Sequence, residues 1–132
     1  MCDSKPDAAS VASATLFICD TCRFKADMRE QEGRTGGAIF AEHVERSIAR
    51  LQIESLDLRR VSCLMACTRH CTAHLRAPGK LGYLIGDFEP TASSAETLLD
   101  YVKKYQQSET GQVPYKTWPS AIKGHFIART PP

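Results

Sequence analysis

The sequence predicts a mixed α/β fold: a four-stranded sheet with a parallel strand-helix-strand start, a C-terminal β-hairpin and flanking helices. Three observations support this class. Short apolar runs typical of strands alternate with two stretches in which apolar residues recur at helical spacing. A proline-glycine turn separates the last two strand-like runs. At 132 residues the chain is long enough for one domain with a single core.

The first elements form the parallel unit. Residues 1–13 are rich in serine, alanine and aspartate without periodicity, which indicates a flexible tail. The continuous apolar run 15–18 predicts a strand buried on both faces, and the polar, glycine-bearing stretch 23–37 indicates a loop. Apolar residues at helical spacing then predict an amphipathic helix over 37–51, and a weaker strand signal follows over 56–61.

An antiparallel hairpin is expected next. Residues 73–76 alternate between apolar and polar side chains, and 81–88 return as the partner strand. Between them, residues 77–80 (Ala-Pro-Gly-Lys) form a turn signature, because proline pre-sets its φ angle and glycine accepts a positive one. The hairpin completes the predicted sheet.

A second helix and a docked tail follow the hairpin. Ser93 and Glu96 form a capping-box pattern at the start of a helix expected over about 94–107. The apolar residues beyond Gly111 are numerous enough to pack on the domain, with a short helix expected near 119–128. We therefore divide the chain into a flexible tail (1–13), one domain (14–110) and a docked C-terminal extension (111–132).

Charge and apolar content exclude several classes of function. The 17 basic and 15 acidic side chains nearly cancel, so net charge alone does not drive binding to nucleic acid or to a membrane. No apolar run approaches the roughly 18 to 20 residues that span a bilayer, and no export signal is evident, so we expect a cytoplasmic protein. No catalytic triad order, phosphate-binding glycine loop or carboxylate pair indicates a hydrolase or a kinase.

The six cysteines are the main indication of function. Without an export signal, clustered cysteines more often indicate metal or redox chemistry than disulfides. Five of them form two groups, each after a predicted strand: Cys19 and Cys22, then Cys63, Cys67 and Cys71. Cys2 lies in the tail and is interpreted as incidental.

The predicted topology brings the two cysteine groups together. The carboxyl ends of the two parallel strands in a strand-helix-strand unit emerge at the same edge of the sheet. We therefore expect Cys19 and Cys22 to face Cys63 and Cys67. Thiolates are soft ligands, and four of them suit either zinc or an iron-sulfur cluster.

The residues leave two alternatives to an iron-sulfur cluster open. Cys19 and Cys22 would fit a structural zinc knuckle, although the wider spacing of the second group is less typical of zinc. A Cys-x-x-Cys motif after a strand also fits a thiol-disulfide oxidoreductase. Against this, the loop 23–37 separates Cys22 from the following helix, so neither thiol would have the helix N-terminus that normally lowers a thiol pKa.

Basic side chains lie close to the cysteines in sequence. A cluster with four thiolates carries net negative charge, which nearby cations stabilise. The same side chains would form a docking face for an acidic redox partner. They are Arg23, Lys25, Arg69, His70, His74 and Arg76.

The segment from Cys63 to Cys67 resembles the cysteine segment of thioredoxin-like [2Fe-2S] ferredoxins. The resemblance implies a thioredoxin-like fold, a [2Fe-2S] cofactor and an electron carrier rather than an enzyme. Carried over residue by residue, it implies the cluster ligands Cys19, Cys22, Cys63 and Cys67. Cys71 makes five candidates for four places, so we keep it as an alternate ligand.

From about residue 15 the chain more closely resembles an uncharacterised bacterial family of predicted metal-binding proteins. The shared motifs are Cys-x-Thr-Cys-Arg at 19–23, the cysteine run at 63–71, the turn and tyrosine-bearing strand at 77–83, and the Ala-Arg-x-Pro ending at 128–131. Members are often encoded near cobalamin-biosynthesis or cobalt-handling functions, which implies an electron-donor role there. We expect a redox partner protein and neither nucleic acid nor membrane as partner, and a homodimer is left open.

Overall fold

The computed structural model describes residues 14–21, 30–62 and 71–132. Within these ranges the chain forms strands, two α-helices and two short 3-10 turns. In chain order these are β1 Ala14–Cys19, β2 Glu30–Gln31, β3 Arg34–Thr35, α1 Gly36–Leu51, β4 Leu56–Val61, β5 Ala73–Arg76, β6 Gly82–Ile85, α2 Ala92–Gln107, the 3-10 turns Tyr115–Thr117 and Ser120–Ile122, and β7 Phe126–Thr130. In this described part of the chain, no helix is long and apolar enough to cross a membrane.

Five strands form the main sheet, in the order β4-β1-β5-β6-β7. β1 and β4 are parallel and are connected through α1, and the other neighbouring pairs in this sheet are antiparallel. The mixed α/β class, the parallel start and the β5-β6 hairpin are therefore confirmed. β2 and β3 pair with each other in a small separate hairpin.

The predicted count of four strands is wrong, because the C-terminal extension supplies a fifth. The helix predicted near 119–128 is replaced by a 3-10 turn and a strand. Gly124 lies between them with a φ of +91°, a left-handed conformation that ends helical structure. The chain then runs along β6, where the Gly86 N–H donates to the His125 carbonyl over 2.8 Å. Strand pairing provides hydrogen-bond partners for backbone N–H and C=O groups of both β6 and β7, and a short isolated helix would leave the groups of β6 without those partners.

Both helices pack over one face of the sheet. Leu16 and Ile18 of β1 are fully buried, whereas Phe17 between them is only half-buried. Phe40 of α1 and Leu98 of α2 belong to the same apolar core as Leu16 and Ile18. Because successive side chains of a strand point to opposite faces, the face that carries Phe17 lies opposite the helices.

Both helices begin within two residues of the expected starts, but the cap of α2 differs from the prediction. Thr91 is the N-cap, and its Oγ1 accepts a hydrogen bond from the Ser94 N–H over 3.2 Å. The capping box predicted from Ser93 and Glu96 is therefore wrong. Glu96 instead forms an ion pair with Arg50 of α1, which joins the two helices.

Aromatic side chains within the C-terminal extension pack on each other and on α2. The rings of Trp118 and Phe126 lie 4.5 Å apart, and the ring of Tyr101 lies 5.1 Å from that of Phe126. The Trp118 indole N–H donates to the Val113 carbonyl over 2.8 Å. Ring packing and strand pairing together hold this segment on the sheet.

Two tyrosines of α2 give opposite predictions for the loss of a hydroxyl. Tyr101 is fully buried, and its hydroxyl has no hydrogen-bond partner among the described residues. The Tyr105 hydroxyl donates to the Leu81 carbonyl over 2.6 Å. We expect Tyr101→Phe to raise the free energy of unfolding by about 1 kcal/mol and Tyr105→Phe to lower it by a similar amount. Urea unfolding measures both, and a clear loss of stability in Tyr101→Phe would contradict the unpaired hydroxyl.

Candidate metal centre

Two of the five clustered cysteines lie in the described residues. Cys19 is the last residue of β1 and is 4% exposed, and Cys71 lies two residues before β5 and is fully buried. Within 14–21, 30–62 and 71–132, no three metal-ligating side chains form a cluster. The predicted ligands that lie outside the described residues are Cys22, Cys63 and Cys67, and Cys2 lies outside them as well.

Cys19 lies where β4, β1 and β5 meet at one edge of the sheet. Its parallel partner in β4 is Val61, the last residue of that strand, and the Asp20 N–H donates to the Val61 carbonyl over 2.9 Å. On the other side, the Cys19 N–H donates to the Thr72 carbonyl over 3.0 Å. The described chain therefore leaves β4 beside Cys19 and enters β5 beside it.

Polar groups of two separate segments contact the Cys19 sulfur. Sγ lies 3.7 Å from the Ser62 carbonyl oxygen and 3.5 Å from the Thr21 hydroxyl. The Thr21 hydroxyl in turn donates to the Ser62 carbonyl. Ser62 is the last described residue before the cysteine run that begins at Cys63.

Cys71 occupies a constrained position at the same edge. Its φ of +50° lies in the left-handed region, which is uncommon for residues other than glycine. Its side chain belongs to the apolar core, and the next residue is Thr72, whose carbonyl accepts the Cys19 N–H. Cys71 therefore lies near Cys19 at the same end of the sheet, and its side chain packs in the core. Its assignment as an alternate ligand stays a prediction.

The N-terminus of α1 packs against the Cys19 segment. Thr35 is the N-cap: its Oγ1 accepts from the Ala38 N–H over 3.2 Å and donates to the Asp20 carbonyl. A Cβ on Gly37 would lie 2.0 Å from the Cys19 carbonyl oxygen. The end of the helix therefore lies against the backbone of Cys19, and the expectation that the Cys19 and Cys22 thiols lack a helix N-terminus stays a prediction. The β2-β3 hairpin turns the chain back, so residues distant in sequence meet in space.

Sequence reasoning missed four groups around Cys19: Thr21, Thr35, Gly37 and Ser62. A threonine directly before two glycines and a helical apolar pattern is an N-cap signal, and it would have identified Thr35. The contact between Thr21 and Ser62 has no local signal, because it depends on the pairing of β1 with β4.

His74 and Arg76 of β5 are the described members of the predicted basic group. The His74 ring stacks on Phe17 with 6.0 Å between centroids, and its Nε2 lies 3.4 Å from the Thr130 hydroxyl. Phe17 and Cys19 are two residues apart in β1, so they lie on the same face of the strand. Arg76 is exposed. The basic residues outside the described ranges are Arg23, Lys25, Arg69 and His70.

The fold is similar to that of two solved structures. One is the structure of a thioredoxin-like [2Fe-2S] ferredoxin from Aquifex aeolicus, with a TM-score of 0.54 and 13% sequence identity over 92% of this chain and 96% of that chain. The other is the wild-type thioredoxin-like [2Fe-2S] ferredoxin from Aquifex aeolicus, with a TM-score of 0.50 and 15% identity over 89% of this chain and 98% of that chain. The chain therefore has a thioredoxin-like α/β fold, with cysteines at one edge of its sheet.

A family model that matches most of the chain gives the family assignment. The model of the family described as "Protein of unknown function (DUF1636)" matches residues 16–132, and the chain belongs to this family. The expected membership in an uncharacterised family, related in fold to thioredoxin-like ferredoxins, is confirmed. A search of curated proteins finds no match.

The environment of His74 predicts a loss of stability in mild acid. Burial lowers the pKa of His74 below its ordinary value, and the Arg76 cation lowers it further. The unfolded chain takes up this proton near pH 6.5, about the ordinary histidine value, while the folded chain takes it up at lower pH. The stability due to neutral His74 is therefore complete above about pH 6.5 and declines as the pH falls below it. We expect His74→Gln to lose less Tm than the wild type between about pH 7.5 and 5.5. Equal losses in the two proteins would contradict this.

Proposed function

We propose that this protein is an electron carrier that holds one [2Fe-2S] cluster through Cys19, Cys22, Cys63 and Cys67. The main supporting observation is the position of Cys19 between the end of β4 and the start of β5. Val61 and Thr72, whose carbonyls accept the Asp20 and Cys19 N–H groups, lie in sequence on either side of the stretch that contains Cys63 and Cys67. The similarity of the fold to two thioredoxin-like [2Fe-2S] ferredoxins agrees with this proposal.

The chemistry of the described groups fits a thiolate-bound iron-sulfur site. Cys19 is almost fully buried, as suits a ligand held away from water, and the N-terminus of α1 directs the positive end of a helix dipole toward its backbone. The helix end favours a negatively charged group at this edge. Burial disfavours a lone thiolate, so a buried Cys19 needs a bound cation to stay deprotonated. A bound [2Fe-2S] cluster exchanges one electron with a partner, and this exchange needs no acid, base or nucleophile from the chain.

The residues around the cysteines have separate tasks in this proposal. The Cys19 sulfur donates to the Ser62 carbonyl only as a protonated thiol, so metal binding would replace that bond, and the Thr21 hydroxyl is the neighbouring group that can donate to the thiolate. In the proposed docking face for an acidic redox partner, exposed Arg76 supplies the described positive charge, and His74, which its lowered pKa keeps neutral, lies beside it. Following the family resemblance, the carrier donates electrons in cobalamin or cobalt metabolism in the cytoplasm. Its partner is a protein rather than nucleic acid or a membrane, and a homodimer is compatible with the proposal.

A thiol-disulfide oxidoreductase is the second candidate, and one observation favours it. The N-terminus of α1 packs on the backbone of Cys19, and helix N-termini lower the pKa of nearby thiols. Against it, the chain between the Cys19/Cys22 motif and α1 includes the β2-β3 hairpin, so the motif does not open the helix. A structural zinc site would use the same four thiolates and is separated from the main proposal by metal analysis.

Metal analysis with a set of serine variants tests the function. Anaerobically purified wild-type protein is expected to be coloured and to contain about two iron and two acid-labile sulfide per chain. Serine at any of the four proposed ligands is expected to abolish cluster binding or to weaken it strongly, because each substitution removes one thiolate. Iron and sulfide assays with visible absorption spectra measure this effect.

A control variant and a comparison of two cysteine variants make the outcome decisive. Cys2→Ser is the matched control and is expected to retain a full cluster. Retention in Cys67→Ser together with loss in Cys71→Ser would replace Cys67 by Cys71 in the ligand set. Colourless wild-type protein with one equivalent of zinc would refute the electron carrier, and metal-free protein that catalyses disulfide exchange would support the oxidoreductase.

A further inference from the structure

The hydroxyl of Thr35 makes a contact that helix capping does not require. It accepts the Ala38 N–H over 3.2 Å, as an N-cap threonine ordinarily does. The same oxygen donates its proton to the Asp20 carbonyl, so one hydroxyl joins the start of α1 to the residue after Cys19. Thr35 is also the last residue of β3 and pairs there with Glu30. The position of Thr35 is therefore fixed by strand pairing with β2 on one side and by its hydroxyl contacts with Asp20 and Ala38 on the other.

Gly37 brings the backbone of α1 into contact with Cys19. A Cβ at this position would lie 2.0 Å from the Cys19 carbonyl oxygen and 2.9 Å from the Asp20 Cα, closer than real Cβ atoms approach backbone. Because Gly37 lies inside α1, where any residue can adopt the backbone conformation, the requirement is for space. The absence of a side chain at Gly37 permits the close approach of helix and strand end.

Cys19 and Asp20 are thus held by three elements. The Val61 carbonyl of β4 accepts the Asp20 N–H, and the carbonyl of Thr72, directly before β5, accepts the Cys19 N–H. The N-cap Thr35 and Gly37 bring the start of α1 against both residues. The two strand contacts fix the residues within the sheet. The contact with α1 comes from outside the sheet and fixes the direction in which the chain turns after β1.

We propose that Thr35 and Gly37 are positioning residues for the metal centre. They clamp the N-terminus of α1 onto the backbone of Cys19 and Asp20, fix the backbone from which the Cys19 ligand extends and set the positive helix end beside that backbone. The inference rests on the proposed function and assigns a role in metal affinity and reduction potential to residues outside the cysteine motifs. Groups behind a ligand orient it and alter metal affinity, and a helix N-terminus stabilises negative charge.

The second helix provides a matched control. Thr91 caps α2 by accepting the Ser94 N–H over 3.2 Å, and its hydroxyl also bonds the Ser94 hydroxyl within the same turn. Thr35→Val and Thr91→Val therefore remove the same type of cap. The first substitution also removes a hydrogen bond to the Cys19 segment, whereas the second removes bonds within α2.

The experiment compares wild type, Thr35→Val, Thr35→Ser and Thr91→Val as full-length proteins. The affinity of the metal-free protein for Co²⁺ is measured from thiolate-to-metal absorption, and the reduction potential is measured on the protein as isolated. We expect Thr35→Val to weaken Co²⁺ binding about ten- to a hundredfold and to move the potential to more negative values. Thr35→Ser is expected to restore both properties, and Thr91→Val to leave both unchanged.

Thr35→Asp keeps the test decisive if Thr35→Val does not fold. Aspartate caps a helix as well as threonine does, but its carboxylate has no proton to donate to the Asp20 carbonyl. Its carboxylate oxygen repels that carbonyl, whereas its negative charge favours a cation, so weakened Co²⁺ binding in this variant would identify the contact between Thr35 and Asp20 as the cause.

The outcomes separate this inference from the proposed function. Equal effects of Thr35→Val and Thr91→Val, failure of Thr35→Ser to restore Co²⁺ affinity, or unchanged binding in Thr35→Asp would each overturn the positioning role. Wild-type protein that binds Co²⁺ but is isolated without iron and sulfide would refute the electron carrier. The Co²⁺ series would still decide whether Thr35 positions the thiolate site.

Discussion

The parallel pairing of β1 with β4 is the constraint on which the candidate site depends. Its register places Cys19 opposite Val61, so two segments distant in sequence leave the sheet side by side. Burial in the core specifies this register, because Leu16 and Ile18 are fully buried and each contributes on the order of 2 kcal/mol when removed from water. A slip by one residue would turn these side chains away from the core. The apolar face of β1 therefore fixes the position of the cysteine at its end.

The parts of the fold that local patterns encode were predictable from the sequence. The apolar run before Cys19 and the helical spacing over 37–51 follow directly from which side chains are buried, and Gly79 has the positive φ that its turn signature requires. β7 was not predictable in this way. The spacing of Ile122 and Phe126 fits a helix, and the strand forms because β6 offers an edge for pairing. Tertiary pairing here overrides a local periodicity.

The candidate site likewise has a part that was predictable from the sequence and a part that was not. Topology predicts that the two cysteine groups meet at one edge, and the described ends of β1, β4 and β5 support that expectation for Cys19 and the chain on either side of 63–70. The bond from Thr35 to the Asp20 carbonyl was not predictable, because it depends on how the β2-β3 hairpin returns the chain. α1 takes part in both the topology and the local contacts. It links the two parallel strands, and its N-terminus packs on the backbone of the cysteine at the end of the first strand.

The measurement that most directly tests a cysteine-bound cluster at this sheet edge is electron paramagnetic resonance of the anaerobically purified protein after reduction with dithionite. A reduced [2Fe-2S] cluster carries one unpaired electron, so we predict a rhombic signal that integrates to about one spin per chain, with loss of the visible absorption of the oxidised form. A protein that gives no such signal and whose visible spectrum does not respond to the reductant would contradict the proposed electron carrier.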